Sequence, residues 1–271
     1  MLRRTFLFWP VVLLVVLYIL ANRCRRNHPG LKNLQGWSYA HRGLHGDGRP
    51  ENSMAAFRAA LEQGYGIELD IHLLKDGNLA VIHDSLLQRT TGREGRIEDL
   101  TTQDLKTCFL EGTEETIPTF RELLDLYDGK APLIVELKPV DGNHAALAET
   151  ACAMLEDYPG VYCMESFDPR CVFWLKKNRP RIIRGQLSEN FLRSDSGMSW
   201  LLRFALTHNL GNFLTRPDFI AYKFADRKNA SVYVCRKFWK PQLVSWTLKT
   251  REDYDTACKE GWLPIFENFR P

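Results

Sequence analysis

Between residues 41 and 84 the chain gathers two histidines, two carboxylates a residue apart and an arginine: His41, His83, Glu68, Asp70 and Arg42. They stand in four short motifs, Ala40-His41-Arg42-Gly43, Pro50-Glu51-Asn52-Ser53, Glu68-Leu69-Asp70 and Ile82-His83-Asp84. Carboxylates hold a hard divalent cation, imidazoles move protons near neutral pH, and a guanidinium meets an anionic oxygen with fixed geometry. Together these types suit a metal-assisted reaction on an anionic substrate.

Such groups need a scaffold that brings them together. Past Pro29 and Gly30, apolar runs alternate with amphipathic stretches, and strands are predicted at 38–41, 66–73, 133–137, 161–166, 182–186, 218–222, 242–247 and 263–266. Helical patterns fall between them at 53–63, with Ser53 as N-cap, and at 145–157, 168–178 and 251–260. Eight strands separated by helices is the count of a (β/α)8 barrel. An open doubly wound sheet is the alternative, but no Gly-rich phosphate loop follows the first strand. Barrel enzymes carry their active groups at the C-terminal ends of the strands, and residues two apart on a strand share a face. Glu68 with Asp70, and Glu136 with Lys138, are therefore expected to converge on one site. Three carboxylates there suit Mg²⁺ or Ca²⁺, whereas zinc would call for cysteines or clustered histidines.

The four motifs, in this order, resemble those of the glycerophosphodiester phosphodiesterase family, in particular its membrane-anchored bacterial members. The resemblance continues through Val135-Glu136-Leu137-Lys138, Ser166-Phe167-Asp168 and Ser245-Trp246-Thr247, and so spans residues 38 to about 266. It implies an α/β TIM barrel over 31–271, with a small insertion at about 84–118 after the second strand. It also implies metal-dependent hydrolysis of glycerophosphodiesters to glycerol 3-phosphate and an alcohol. In that scheme His41 and His83 are the general acid and base, and Glu68, Asp70 and Glu136 hold one divalent cation, Mg²⁺ or Ca²⁺. Arg42 and Lys138 contact the phosphate, and Trp246 is either near the substrate or part of the core. Glu51 and Asn52 brace the metal carboxylates and cap the first helix. Two rival readings are a lysophospholipase D-like hydrolase, which a wide apolar channel would favour, and a non-catalytic phosphate-binding barrel, which would lack a histidine or a metal carboxylate.

Taken singly, each residue has an ordinary explanation. His83 before Asp84 is a common strand end, and a Glu136–Lys138 pair in solvent is worth about 0–1 kcal/mol. Their joint order carries the reading. Among the remaining histidines, His72 alternates with Asp70 and points inward, while His28, His45, His144 and His208 are expected at the surface.

The chain has 271 residues, 45% of them hydrophobic, enough for one large core. Its formal charge of +3 and pI near 8.4 are mild, so nucleic acid is not an expected partner. Seven cysteines without metal or framework spacing read as free thiols, which favours a reducing compartment. From residue 5 to residue 21 the chain is uncharged and apolar, about 25 Å of helix, and is expected as a single-pass transmembrane anchor within a 1–30 anchor and linker segment. The barrel is then placed weakly on the cytoplasmic side. Two departures from the family stand out: no room remains for a helix after the last strand, and that strand lacks the usual Asp-Gly-Ile-x-Thr ending. Either the segment after the anchor covers that side or it is open; nothing in the sequence sets an oligomeric state.

Overall fold

The computed structural model describes residues 2–193 and 197–271, with side chains described from residue 9 onward. Nine strands form one sheet: β1 Tyr39–His41, β2 Gly66–Leu73, β3 Leu79–Val81, β4 Leu133–Leu137, β5 Tyr162–Ser166, β6 Arg184–Ser188, β7 Phe219–Lys223, β8 Gln242–Leu248 and β9 Trp262–Phe266. Eight of them are parallel and close on themselves, because β1 pairs with both β2 and β9. β3 is the exception: it runs antiparallel to β2 and returns the chain toward His83. The eight-stranded parallel barrel with surrounding helices is thus present.

Strand alternation divides the residues between two environments. On β2, Ile67, Leu69 and Ile71 pack outward against Phe57, Ala60, Leu123 and Leu147 from the helices. Inside the lower barrel Leu34, Tyr39, Ile134, Cys163, Phe219, Val244 and Ile265 form a second apolar cluster. Glu68, Asp70, Glu136 and Glu165 are buried polar exceptions on those strands. A parallel barrel core is ordinarily branched and apolar, so buried carboxylates mark where fold gives way to function.

Among the glycines that space requires, two bear on the barrel's packing near the site. At Gly43, φ is +80° and a Cβ would lie 2.9 Å from Ala56, so only glycine lets the β1 loop lie against the helix Met54–Glu62. On β6 a Cβ at Gly185 would fall 2.0 Å from the ring of Phe219, its neighbour on β7. Gly185→Ala is therefore expected to cost about 1–3 kcal/mol or more, as overpacked cores do. Thermal unfolding checks it, and an unchanged midpoint would show that the Phe219 ring yields freely.

Segment 84–118 folds over β3 with an apolar cluster of its own, including Leu87, Ile97, Leu105, Leu110 and Ile117. Past β9, Phe269 packs edge-on against Phe266 and Tyr254, and Tyr65 against Phe266. These rings cover the end of β9.

The N-terminal segment requires a correction. The helix Leu2–Ala21 exists, but among the described residues no helix is long and apolar enough to cross a membrane. The expected single-pass anchor, the membrane as a partner and the membrane localisation are therefore not supported. The apolar run begins only after Arg3 and Arg4, and from residue 5 to residue 21 it covers about 25 Å, short of the roughly 30 Å of hydrocarbon. The last turn of this helix contacts the rest of the chain at two points. Tyr18 Oη meets His208 Nδ1 at 2.9 Å, and Trp239 Nε1 donates to the Ile19 carbonyl at 2.8 Å.

Beyond this helix the chain passes as a strap under the barrel base. Arg25 pairs with the fully buried carboxylate of Asp218, its Nη2 lying 2.6 Å from Oδ2. Its backbone N–H donates to the Pro217 carbonyl at 2.9 Å. Further along, Tyr39 Oη donates to the carbonyl of the buried Leu34 at 2.7 Å. The described cysteines are all unpaired.

Candidate active site

Parallel register sets the floor of the site. Opposite Asp70 on β2 stands Glu136 on β4, and opposite Glu136 stands Glu165 on β5, so three carboxylates line up across neighbouring strands. Glu68 lies on the same face one step below Asp70. Glu68, Asp70 and Glu136 each offer an oxygen within 4.8 Å of the others. Lys138 directly follows the end of β4: Nζ donates to Glu136 Oε1 at 3.0 Å and lies 3.5 Å from Asp70 Oδ1. Asn52 Nδ2 donates to Asp70 Oδ2 at 3.0 Å, while the helix cap comes from Ser53 Oγ.

Charge in this cluster is out of balance. Burial pushes the Glu68 carboxyl well above its ordinary range, and repulsion from Asp70 and Glu136 adds to it. Glu136 is pushed up to about 7 by burial, against the pull of Lys138. Burial opposes ionisation of Asp70 too, but Lys138 and Arg42 outweigh it and hold this carboxyl low. Glu165, unremarked at the sequence level, is raised well above normal by burial and by Glu136, and its Oε2 lacks an aligned partner. Asp70 Oδ1 also lacks an aligned hydrogen bond. Buried carboxylates that repel one another and leave oxygens unsatisfied fit a divalent cation, and an all-oxygen donor set fits Mg²⁺ or Ca²⁺ chemistry.

The arginine is held firmly. Arg42 occupies a left-handed backbone conformation with φ of 54°, costly for a side chain of this size. In return its N–H groups turn inward: the backbone N–H donates to the Glu68 carbonyl at 2.9 Å, Nη1 donates to Glu51 Oε1 at 2.9 Å, and Nε lies 3.2 Å from Asp70 Oδ2. Glu51 therefore braces Arg42, and Arg89 reaches the same Glu51 oxygen at 2.6 Å.

Both histidines stand at this floor. His41 Nε2 is 3.8 Å from Glu68 Oε2, and its Nδ1 faces Glu267 Oε2 at 3.3 Å. Glu267 is held down at about 2, chiefly by the facing His41 and despite its burial. His83 Nδ1 lies 2.5 Å from Asp84 Oδ1, and Arg89 secures Asp84 from the other side. Burial lowers the His83 imidazole below its usual value, against the pull of Asp70. His72 does point inward, but both its nitrogens are engaged, Nδ1 with Glu98 at 2.7 Å and Nε2 with the His83 carbonyl at 3.1 Å. It braces the His83 backbone.

His41, Arg42, Glu68, His83, Glu136 and Trp246 wall a small cavity of about 50 Å³. Trp246 donates from Nε1 to the Ala221 carbonyl at 3.1 Å and meets Phe167 edge-on at 5.5 Å, so one aromatic face serves the core and another the cavity. Beside His83, Glu136 and Lys138 the cavity gives onto a wider groove of about 700 Å³, with walls that include Leu86, Val140 and Phe167. All eight residues singled out from sequence are therefore brought together. Three others were missed: Glu165, Glu267 and His45, the last expected at the surface but partly buried, with Nε2 3.7 Å from Glu267 Oε1. Glu165 stands alone among apolar strand neighbours, a signal present in Tyr162-Cys163-Met164-Glu165; Glu267 and His45 carry no local signal.

Comparison with known proteins agrees with this geometry. The model of the glycerophosphoryl diester phosphodiesterase family matches residues 41–210. A glycerophosphodiester phosphodiesterase of Caldanaerobacter subterraneus subsp. tengcongensis is 30% identical over 229 residues, covering 78% of this chain and 86% of that protein. One from Bacillus altitudinis is 44% identical over 107 residues, 37% of this chain and 43% of that protein. Among solved structures, an Oleispira antarctica phosphodiesterase in complex with the product sn-glycerol-3-phosphate superposes with a TM-score of 0.70 at 22% identity, over 87% of this chain and 94% of that one. A family match over more than half the chain and a relative aligned along most of its length establish that the chain belongs to the glycerophosphoryl diester phosphodiesterase family, a family of phosphoric diester hydrolases.

Proposed function

We propose that the protein hydrolyses glycerophosphodiesters to glycerol 3-phosphate and an alcohol, with His41 and His83 as the proton-transfer pair. The observation that carries this reading is that both imidazoles wall the one cavity whose floor is Glu68 and Glu136. Glu68, Asp70 and Glu136 would hold a single Mg²⁺ or Ca²⁺. When bound, such a cation neutralises phosphate oxygens that would otherwise repel a nucleophile.

The chain's own residues do the rest. Arg42 and Lys138 stand beside the carboxylates with cationic groups toward the phosphate position, where they stabilise charge that grows in the transition state. One imidazole takes the proton of the nucleophile, either water or the neighbouring glycerol hydroxyl. The other gives a proton to the departing alcohol as its P–O bond breaks. Attack by the hydroxyl yields a cyclic phosphate, which water then opens. Trp246 and Phe167 keep bulk water from one side of the site. No histidine or metal carboxylate of the set is missing, which speaks against a non-catalytic barrel.

The deciding assay is release of glycerol 3-phosphate from glycerophosphocholine by the full chain with Mg²⁺, with Ca²⁺ and with excess EDTA. Release in metal and its loss in EDTA are expected. A lysophosphatidylcholine arm belongs beside it, because the groove next to His83 has apolar walls. Release of choline from that lipid, with glycerophosphocholine untouched, would move the substrate class to lysophospholipids. Inertness toward both would overturn the hydrolase reading.

A further inference from the structure

The two nitrogens of His41 have different surroundings. Nε2 faces the carboxylate floor at Glu68 Oε2, whereas Nδ1 points away from it toward Glu267 Oε2, 3.3 Å distant. Nδ1 is shielded from solvent and has no aligned hydrogen-bond partner, so the Glu267 carboxylate is the acceptor within reach. Glu267 follows β9 directly, and its backbone N–H donates to the Leu248 carbonyl at 2.9 Å, which ties it to the end of β8. Around the carboxylate stand His45, 3.7 Å from Oε1, and Lys249, 3.5 Å from Oε2. This is also where the chain departs from the strand ending common in the family.

The second imidazole is arranged in the same way. His83 Nδ1 meets Asp84 Oδ1 at 2.5 Å, and Arg89 holds Asp84 as Lys249 and His45 hold Glu267. Resting on the hydrolase reading, we infer that Glu267 is the positioning residue of His41, so that the site runs on two matched histidine–carboxylate pairs. A neutral imidazole carries one proton, and a carboxylate at Nδ1 places it there. Nε2 then faces the reacting groups with its lone pair free. Once Nε2 takes a proton, the imidazolium is stabilised by the same carboxylate, which itself keeps its charge.

His41, His45 and Glu267 also offer three ligand atoms within 4.8 Å of one another, the spacing of a second cation site. That use would consume Nδ1 as a ligand and leave no proton on it. The two uses are thus exclusive and separable by experiment.

The test compares Glu267→Gln and Glu267→Asp in the full chain by turnover and by ¹⁵N NMR of the histidine rings. The glutamine variant is expected to lose roughly 10–100-fold in kcat, as removed orienting partners do, with KM changed less than about twofold. The aspartate variant is expected to recover most of that loss. In the wild type His41 is expected as the Nδ1-protonated tautomer, shifting toward Nε2–H in the glutamine variant. Wild-type kcat with an unchanged tautomer in Glu267→Gln overturns the inference. So does calorimetric titration with Mn²⁺ or Zn²⁺ that shows a second binding step abolished by His45→Ala, which assigns the three residues to a cation instead. If the wild type turns over no diester, the hydrolase reading fails, while the tautomer of His41 in the folded protein still decides the role of Glu267.

Discussion

His41→Ala and His83→Ala are each expected to lower kcat by about 10²–10⁴-fold while leaving the fold intact. Under the proposed mechanism each removes a proton carrier and little else. His41 is partly exposed, and neither imidazole belongs to an apolar cluster that the barrel depends on. The nearest carboxylates of both are side chains that retain other contacts: Asp84 stays with Arg89, and Glu267 with Lys249 and His45. Steady-state kinetics with circular dichroism on the same samples decides the matter. Near-wild-type rates in either variant would remove that histidine from the acid–base pair, whereas loss of the folded signal would show a structural part instead.

Lys138→Met is expected to destabilise the metal-free protein by about 3–5 kcal/mol, the cost of stripping a buried charge cluster of its partner. Lys138 lies 3.0 Å from Glu136 and also compensates Asp70, and without it the buried carboxylates Glu68, Asp70, Glu136 and Glu165 keep Arg42 as their permanently charged neighbour among the described residues. For a domain of this size the melting midpoint should fall by roughly 6–20 °C in EDTA. A divalent cation at about a hundredfold over its dissociation constant should return about 2.7 kcal/mol. Because the cation stabilises any folded protein whose carboxylates bind it, the telling quantity is the gap between wild type and variant, which should narrow in metal if Lys138 acts by compensating those carboxylates and stay constant if its loss is ordinary core damage. A midpoint that is equal for both proteins in EDTA would mean that the carboxylates take up protons at little cost and that Lys138 matters only to substrate.

Much of this was legible beforehand because barrel chemistry is periodic. Glu68 and Asp70 are two apart on one strand, as are Glu136 and Lys138, and alternation alone places each pair on a single face. The eight strand positions followed from apolar runs, although β6 and β7 begin and end one or two residues later than expected. What alternation does not carry is contact between distant loops. Glu267 meets His41 across 226 positions because β1 and β9 are neighbours only after closure, and His45 joins them through a loop whose path no local pattern fixes. The N-terminal helix misled for a related reason. Composition alone does not set whether an uncharged apolar run is long and apolar enough to cross a membrane, and the contacts at its end, Tyr18 with His208 and Ile19 with Trp239, join positions about two hundred residues apart.

The strap beneath the barrel has a consequence for the order in which the molecule can assemble. Arg25 and Asp218 are separated by 193 positions, and β1 waits equally for β9. During synthesis the strap emerges well before β7, yet its docking surface exists only once β7 has been made. The strap thus finds its place late, and until then the Asp218 carboxylate and the base of the barrel remain open to water. Contacts this distant in sequence make folding slow, and the interval before the strap docks is when the nascent chain is most exposed to misassociation and to chaperones.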